Sequence, residues 1–436
     1  MKQATQYTVS ISHVLLLLLI VTLLFSGFIT NFLSFTKLNL GTILIDLLIV
    51  LLLGHVVFTL ILFGSTEKKV HTDYVIFALF WLVLLFITTF KLSFIDDNTI
   101  RERVLGLRNT ILYASPIIYI PLLFKKEKPI DNSLATVVLV GVILCLYAIF
   151  QFKFSSKLPL SFLALRGEGT FQFYNEDIVR PTALLGNTII FASFTITLFS
   201  ILVAKLLTTG NKIYLLYLVI IVTANIFTFT RATLVGLLLS SGTILILHYG
   251  RFTINFVIRI ILVAFVLLIT LLSLAYFYKD SFIVRRVTGQ EASTIASTTE
   301  HYNQIDNSLE FLKENYLFGA GTGTQGPSSD ATRMIITDGY WLQLFLENGV
   351  FLGLFHFSLY LICFYYALHT YYFADNRLLR QLCLAFLGSS MYFFAGSLIN
   401  SAHIGKVNYI LYWILFGLLL AQSIISKRRM NALPSH

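Results

Sequence analysis

Runs of roughly twenty apolar residues recur from one end of the 436-residue chain to the other, separated by short polar breaks. A continuous run of that length is what a helix needs to cross the hydrocarbon core of a bilayer. Such segments lie near 13–35, 39–64, 74–95, 109–124, 133–153, 183–207, 212–229, 232–249, 254–277, 345–372, 378–400 and 405–426, which predicts about twelve transmembrane helices. The fourth is short and carries Pro116 and Pro121, so a kink or a partly interfacial course is expected there. The runs are too long and too uniformly apolar for barrel strands. The expected fold class is an all-α polytopic membrane protein with one large outer loop. The run from His13 is too long for a typical secretory signal and lacks a clear small-x-small cleavage site, so it reads as the first span.

Composition agrees: 57% of residues are hydrophobic and 12% charged, with mean hydropathy +0.82. A soluble domain carries about 25% charged residues. The formal net charge of +10 raises nucleic acid as a partner, and the placement of the charges argues against it. Lys68 and Lys69; Lys125, Lys126 and Lys128; Lys205 and Lys212; Arg251; Arg377 and Arg380; and Lys427, Arg428 and Arg429 all fall in alternate loops. By the positive-inside rule these loops face the cytoplasm, and both termini lie with them. No basic stretch is interleaved with aromatic residues as a nucleic-acid surface would be. Cys145, Cys363 and Cys383 lie in apolar segments without CxxC spacing, so neither a disulfide framework nor a thiolate metal site is expected.

The outer side holds the long connections, from about Phe154 to Pro181 and from Tyr278 to about Asp338. The organisation expected is a first part of the bundle over 1–277, a large outer loop with a short amphipathic helix over 278–338, and the rest of the bundle over 339–436. A loop of that length is usually functional. Ser297 and Glu300 form a capping-box pattern, followed by Tyr302, Ile305, Leu309, Leu312 and Tyr316 at helical spacing, a stripe expected to pack onto the bundle. Gly319, Gly321 and Gly323 then end that helix in a flexible turn.

Arginine on the outer side is the strongest chemical signal. Arg231 sits in a break of a few residues between two apolar runs, on the face that orientation statistics disfavour for positive charge. A guanidinium is never deprotonated and is costly near hydrocarbon. Its natural partner is a carboxylate or a phosphate, gripped by two parallel hydrogen bonds. Arg180 stands at the mouth of the sixth run, and Arg285 just after the ninth. Arginines converging on one outer cavity would hold a phosphorylated, membrane-tethered substrate. Arg166 and Arg286 read instead as snorkelling or paired charges. Asp338, where the long loop re-enters the bilayer, suits either a general base or an N-cap on the next helix; on residue type alone the cap is preferred. Glu300 and Glu347 are possible acids, and surface or interfacial charge explains them equally well. The Gly319-x-Gly321-x-Gly323 pattern is not a nucleotide fingerprint, since no strand precedes it. His301, His356, His369 and His403 have no ligand spacing, and no Walker motif occurs, so neither a metal nor a nucleotide cofactor is expected.

Three pieces, in order, carry a resemblance: Arg180-Pro181-Thr182-Ala183-Leu184-Leu185-Gly186-Asn187; Thr228-Phe229-Thr230-Arg231-Ala232-Thr233; and Tyr316-Leu317-Phe318-Gly319-Ala320-Gly321-Thr322-Gly323 with Asp338-Gly339-Tyr340-Trp341-Leu342-Gln343-Leu344-Phe345-Leu346-Glu347-Asn348-Gly349. Together they resemble the superfamily of O-antigen ligases and Wzy-type polysaccharide polymerases, over roughly residues 175–355. The resemblance implies a metal-independent membrane glycosyltransferase of GT-C-like architecture. Such an enzyme joins glycans carried on undecaprenyl diphosphate at the outer face of the bacterial cytoplasmic membrane, without a cofactor. It implies Arg180 and Arg231 on the diphosphate, and Arg285, His301 and Gly321 among the residues that hold diphosphate or glycan. A flippase and a chain-length regulator are the implied partners, and O-antigen, capsule or exopolysaccharide the implied product. The ligase branch begins its re-entry motif with a histidine about ten residues before a glycine; here Asp338 holds that place, with Gly349 at the matching distance. The arginine often found at the head of the loop helix is also replaced, near His301. Both departures favour a polymerase over a lipid A-core ligase and leave the base open between Asp338 and another group. A flippase or secondary transporter is the competing class, since about twelve helices suit that architecture. The gathering of arginines and the one large loop on a single face speaks against it.

Overall fold

Backbone groups in an apolar solvent must bond to one another, and a helix does this within one segment. The computed structural model describes residues 2–33, 39–63, 71–163, 173–175, 178–250, 292–325, 339–398 and 406–432. In chain order these form α1 (Lys2–Leu24), α2 (Ser26–Phe32), α3 (Leu40–Phe63), α4 (Thr72–Phe94), α5 (Ile100–Leu107), α6 (Pro116–Leu123), α7 (Glu127–Phe154), the single turn α8 (Leu160–Leu163), α9 (Thr188–Thr209), α10 (Ile213–Phe227) and α11 (Arg231–Tyr249). Beyond these come α12 (Ala292–Glu314), α13 (Tyr340–Tyr372), α14 (Arg377–Gly396) and α15 (Lys406–Ala432). Among the described residues the sole strands form a small antiparallel hairpin, β1 (Phe173–Asn175) against β2 (Ile178–Val179). The chain is an all-α polytopic membrane protein.

Eight described helices are long and apolar enough to cross a membrane, or nine when α1 and α2, bent by 68°, count as one span. The predicted span at 254–277 lies outside the described residues. The segment 109–124 is not a span by itself. Thr99 and Glu102 cap α5 reciprocally, residues Arg108–Leu112 widen into a π turn, and Pro116 opens an eight-residue α6 that also contains Pro121. Eight residues rise only about 12 Å. The prolines that suggested a kink thus divide this descent into pieces.

Helices that are apolar all round belong inside. In α15 94% of the apolar window is buried and in α9 83%, against 22% in α3 and α11, so α15 and α9 form the centre and α3 and α11 lie outside it. Small polar pairs stitch the inner helices: Ser200 to Ser240 and Ser193 to Tyr392, each at 2.7 Å. Such bonds contribute about 0.6 kcal/mol each within a membrane.

Of the charged loops expected on one side, those among the described residues meet at one end of the bundle. Asp73 accepts from Tyr366 at 2.8 Å and from Lys427, while Glu127 accepts from Asn376, from Gln422 at 2.8 Å and from Arg429 at 2.7 Å. Lys205 lies 3.7 Å from Asp131. At the opposite end gather the loops that carry the candidate chemistry.

The loop helix departs from its expected form. α12 starts at Ala292, so Ser297 and Glu300 lie inside it and do not cap it. Tyr302, Leu309 and Tyr316 of the expected packing stripe are exposed, and the packed side carries Gln304 and Ser308 instead. Apolar spacing marks an amphipathic helix correctly but does not say which face the bundle covers.

Candidate functional site

Arg180 to Asn187 is a buried, irregular stretch that leads into α9, whose first turn Asn187 caps through bonds from the Ile189 and Ile190 amides. Ala183 and Leu184 hold φ of 47° and 72°, a left-handed conformation that side chains rarely adopt. Gln151 of α7 holds it there: its Oε1 accepts from the Thr182 and Ala183 amides at 2.9 and 3.0 Å, and its Nε2 donates to Leu163 O at 3.0 Å. The Phe28 amide donates to Leu184 O at 2.9 Å. The Arg-Pro-Thr-Ala-Leu-Leu-Gly-Asn motif is therefore built for backbone geometry as much as for its arginine.

That geometry delivers the Arg180 side chain, 7% exposed, to the break between α10 and α11. Nε donates to Thr228 O at 2.7 Å and one terminal nitrogen to Thr230 Oγ1 at 3.0 Å. Thr228 is the C-cap of α10, so the guanidinium sits where carbonyls are left over and a cation is favoured. Arg231 follows at once as the first residue of α11 and is partly exposed. A cation at a helix N-terminus opposes the helix dipole, a cost that an anion held beside it would offset. The structure thus joins Arg180 and Arg231 at one break. Arg180 shapes the break from within, and Arg231 stands at its edge.

The second part of the site is a broken helix. α13 is interrupted at Gly349, where φ 70° and ψ −179° fall in a region open essentially to glycine alone. The break frees backbone groups, and the loop after α12 takes them up. Ala320 N donates to Leu346 O at 2.7 Å, Gly321 N to Glu347 O at 3.2 Å, and Val350 N to Tyr316 O at 2.7 Å. A side chain at Gly349 would place its Cβ 2.2 Å from Leu317 O, and one at Gly319 2.3 Å from Leu346 O. The glycine pattern is not a loose turn: residues 321–325 are buried, and its glycines let two backbones touch. Gly321, expected to meet substrate, is enclosed between Asn98 and Glu347.

Charges not singled out by their sequence pattern fasten this loop. Lys91 and Asp96 form an ion pair at 2.6 Å, each almost fully buried. Lys91 also donates to Glu347 O at 3.0 Å, and Asp96 accepts from the Thr322 amide at 2.9 Å. Glu347, open from sequence between an acid and an interfacial charge, is 7% exposed, and its Oε1 accepts from the Gln325 amide at 3.2 Å and Gln343 Nε2 at 3.1 Å. The signal for Lys91 was present: it is a cation inside an apolar run, as Arg231 is beside one.

The two parts adjoin the last turn of α14. Gly236, in the second turn of α11, packs against the Tyr392 ring. On the other side Trp341 donates its amide to Ser397 O at 3.2 Å and its Nε1 to Phe394 O at 3.0 Å, with Gly339 against Leu398. The N-cap of α13 is Gly339. Asp338 itself and Arg285 lie outside the described residues, as do Arg166 and Arg286. His301 lies partly buried on α12, one turn before Gln304. Among the described residues no group of three His, Cys, Asp or Glu side chains is arranged to hold a metal.

Residues 216–357 match the family model described as O-Antigen ligase, a stretch that begins in α10 and ends in α13. It contains Arg231, the glycine loop, Asp338, Glu347 and the break at Gly349, whereas Arg180 reaches in from outside it. No curated protein matches the chain. That match falls on the segment that builds the break and the re-entering helix, and it supports the resemblance to the superfamily of O-antigen ligases and Wzy-type polymerases, whose members are glycosyltransferase-like membrane enzymes.

Proposed function

We propose that this protein is a polysaccharide polymerase that joins oligosaccharide repeat units carried on undecaprenyl diphosphate. The observation that carries the reading is the meeting of Arg180 and Arg231 at one buried break, beside the helix that also receives the re-entry segment. In this reading Arg231 grips the diphosphate with its fork, and Arg180, holding Thr228 and Thr230, fixes the direction in which Arg231 points. An acceptor hydroxyl oxygen attacks the anomeric carbon of the donor, and the bond from that carbon to the phosphate oxygen breaks with inversion. The electron pair stays on the departing lipid diphosphate, whose charge the guanidinium stabilises as it develops. Asp338 takes the hydroxyl proton.

The reaction lies at the outer face of the cytoplasmic membrane, with both termini in the cytoplasm. The cationic loops meeting at one end of the bundle support that orientation. The chain needs neither metal nor nucleotide in this scheme, receives its substrate from a flippase, and works with a chain-length regulator. A second reading, transfer of the glycan to lipid A-core, has one specific support in the family description itself. An acceptor assay with lipid A-core separates the two.

The test is Arg231→Lys, which keeps the charge and loses the fork. Loss of one bidentate grip predicts a drop of at least about tenfold in transfer, about 1.4 kcal/mol. Full polymer length in cells carrying that variant would sink the diphosphate assignment.

A further inference from the structure

At the end of the bundle that carries the arginines, the short link after α4 and the loop after α12 line an open groove of about 340 Å³. Its walls include Asp97, Glu314, Asn315, Tyr316 and Phe318. Tyr316 and Phe318 are half exposed, at 53% and 50%, and Asp97 and Glu314 are exposed. The floor is stiff, because Asp96 is locked between Lys91 and the Thr322 amide, and Ala320 and Tyr316 are bonded to the two sides of the α13 break.

We propose that this groove is a subsite for the sugar rings of the glycan, separate from the arginine corner that takes the diphosphate. Three features select the occupant. The volume lies at the small end of ligand sites, the scale of one or two sugar rings and not of an entire lipid-linked chain. Half-exposed aromatic rings offer a flat apolar face for the C–H side of a pyranose, while carboxylates and an amide accept or donate at its rim of hydroxyls. The carboxylates are the third: Asp97 and Glu314 at the rim accept hydrogen bonds from neutral hydroxyls and offer no donor to a phosphate. Aromatic rings at this level also serve as interfacial anchors in membrane proteins, but anchors gain nothing from neighbouring carboxylates. The occupant is therefore an uncharged stretch of oligosaccharide. Naming it as the acceptor glycan rests on the glycosyl-transfer reading above.

The experiment uses the full chain in lipid nanodiscs and one repeat unit released by hydrolysis from the host's own surface polysaccharide. Binding of that free oligosaccharide is followed by saturation-transfer NMR, and transfer is measured with acceptor and lipid-linked donor varied separately. Tyr316→Ala with Phe318→Ser is expected to raise the acceptor KM at least tenfold and leave the donor KM unchanged, and Glu314→Gln with Asp97→Asn to raise it about threefold. Inorganic pyrophosphate should not displace the oligosaccharide. Wild-type transfer with acceptor KM unchanged in both double variants overturns the subsite and leaves the transfer reading intact. Oligosaccharide binding lost in the variants, with no transfer by the wild type, upholds the subsite and overturns the transfer reading. A lowered unfolding temperature in nanodiscs with acceptor KM unchanged marks the rings as an anchor and overturns the subsite.

Discussion

A buried carboxylate near a candidate active site invites a catalytic role, and Glu347 shows why its partners must be read first. Its Oε1 accepts from the Gln325 amide and from Gln343, so the group pins the end of the glycine loop to α13. An amide oxygen would serve both donors as well as a carboxylate oxygen does. Glu347→Gln should therefore retain more than half of the transfer rate. Glu347→Ala, which strands a buried amide, should cost about 1–3 kcal/mol of stability and show an earlier melt. A Gln variant that folds normally and is inactive would mean that Glu347 moves a proton. Lys91 is the parallel case among cations: its charge is matched by Asp96 at 2.6 Å, and its ammonium bonds to a carbonyl left over by the helix break. Both residues were visible in the chain. Their burial was not, because Lys91 sits at the end of an apolar run and Glu347 beside a glycine, positions that also suit solvated charge.

Among the elements, α13 depends most on another part of the chain. A helix interrupted inside an apolar bundle leaves carbonyls and amides that lipid cannot satisfy. Here the loop Tyr316–Gly321 satisfies three of them, and it can approach so closely only because Gly349 and Gly319 lack side chains. Gly349→Ala puts a Cβ 2.2 Å from a carbonyl oxygen and demands a backbone conformation that alanine avoids. The expected loss is at least about 2 kcal/mol. Limited proteolysis should then cut between α12 and α13 well below the concentration that cuts the wild type. Unchanged protection there would show that the loop does not depend on the glycine. The apolar periodicity announced α12 and α13 as helices. The break lay beyond it, since Glu-Asn-Gly within an apolar run reads equally as a tolerated glycine.

For the molecule as a whole, the end opposite the arginines is held by ionic and amide contacts that bring α4, α7, α13, α14 and α15 together. His71 belongs to this end: it caps α4, its Nδ1 accepting from the Asp73 amide at 3.3 Å. Burial holds its pKa below the ordinary 6.5, with Lys427 and Arg428 pushing the same way and Asp73 opposing them. The folded state therefore disfavours the proton more than the unfolded chain does. The stabilisation is complete above the ordinary value and is lost as pH falls from about 6.5 through the lower folded pKa. Protonation also removes the acceptor that caps the helix. The unfolding temperature should fall between pH 7.5 and 5.5 in wild type, and less in His71→Asn, which caps without titrating in that range. Equal falls in both would assign the pH dependence elsewhere.

The chain by itself determined its class, the rough ends of nearly every described span, and the separation of charged loops from the arginine-bearing ones. These follow from transfer free energies that act residue by residue, so run length and charge placement carry them. It also marked Arg180 and Arg231, because a guanidinium at the wrong end of a span is anomalous before any fold is known. Only the tertiary structure decided that Arg180 turns its donors onto Thr228 and Thr230, that Gly321 is enclosed, and that α12 packs through Gln304 and Ser308. Each of these depends on which oxygen or which helix face lies opposite, across 48 residues for the bond from Arg180 to Thr228. Local pattern holds no record of such partners: hydrogen bonds and close packing are short-ranged in space, and helix packing alone sets which distant segments share that space.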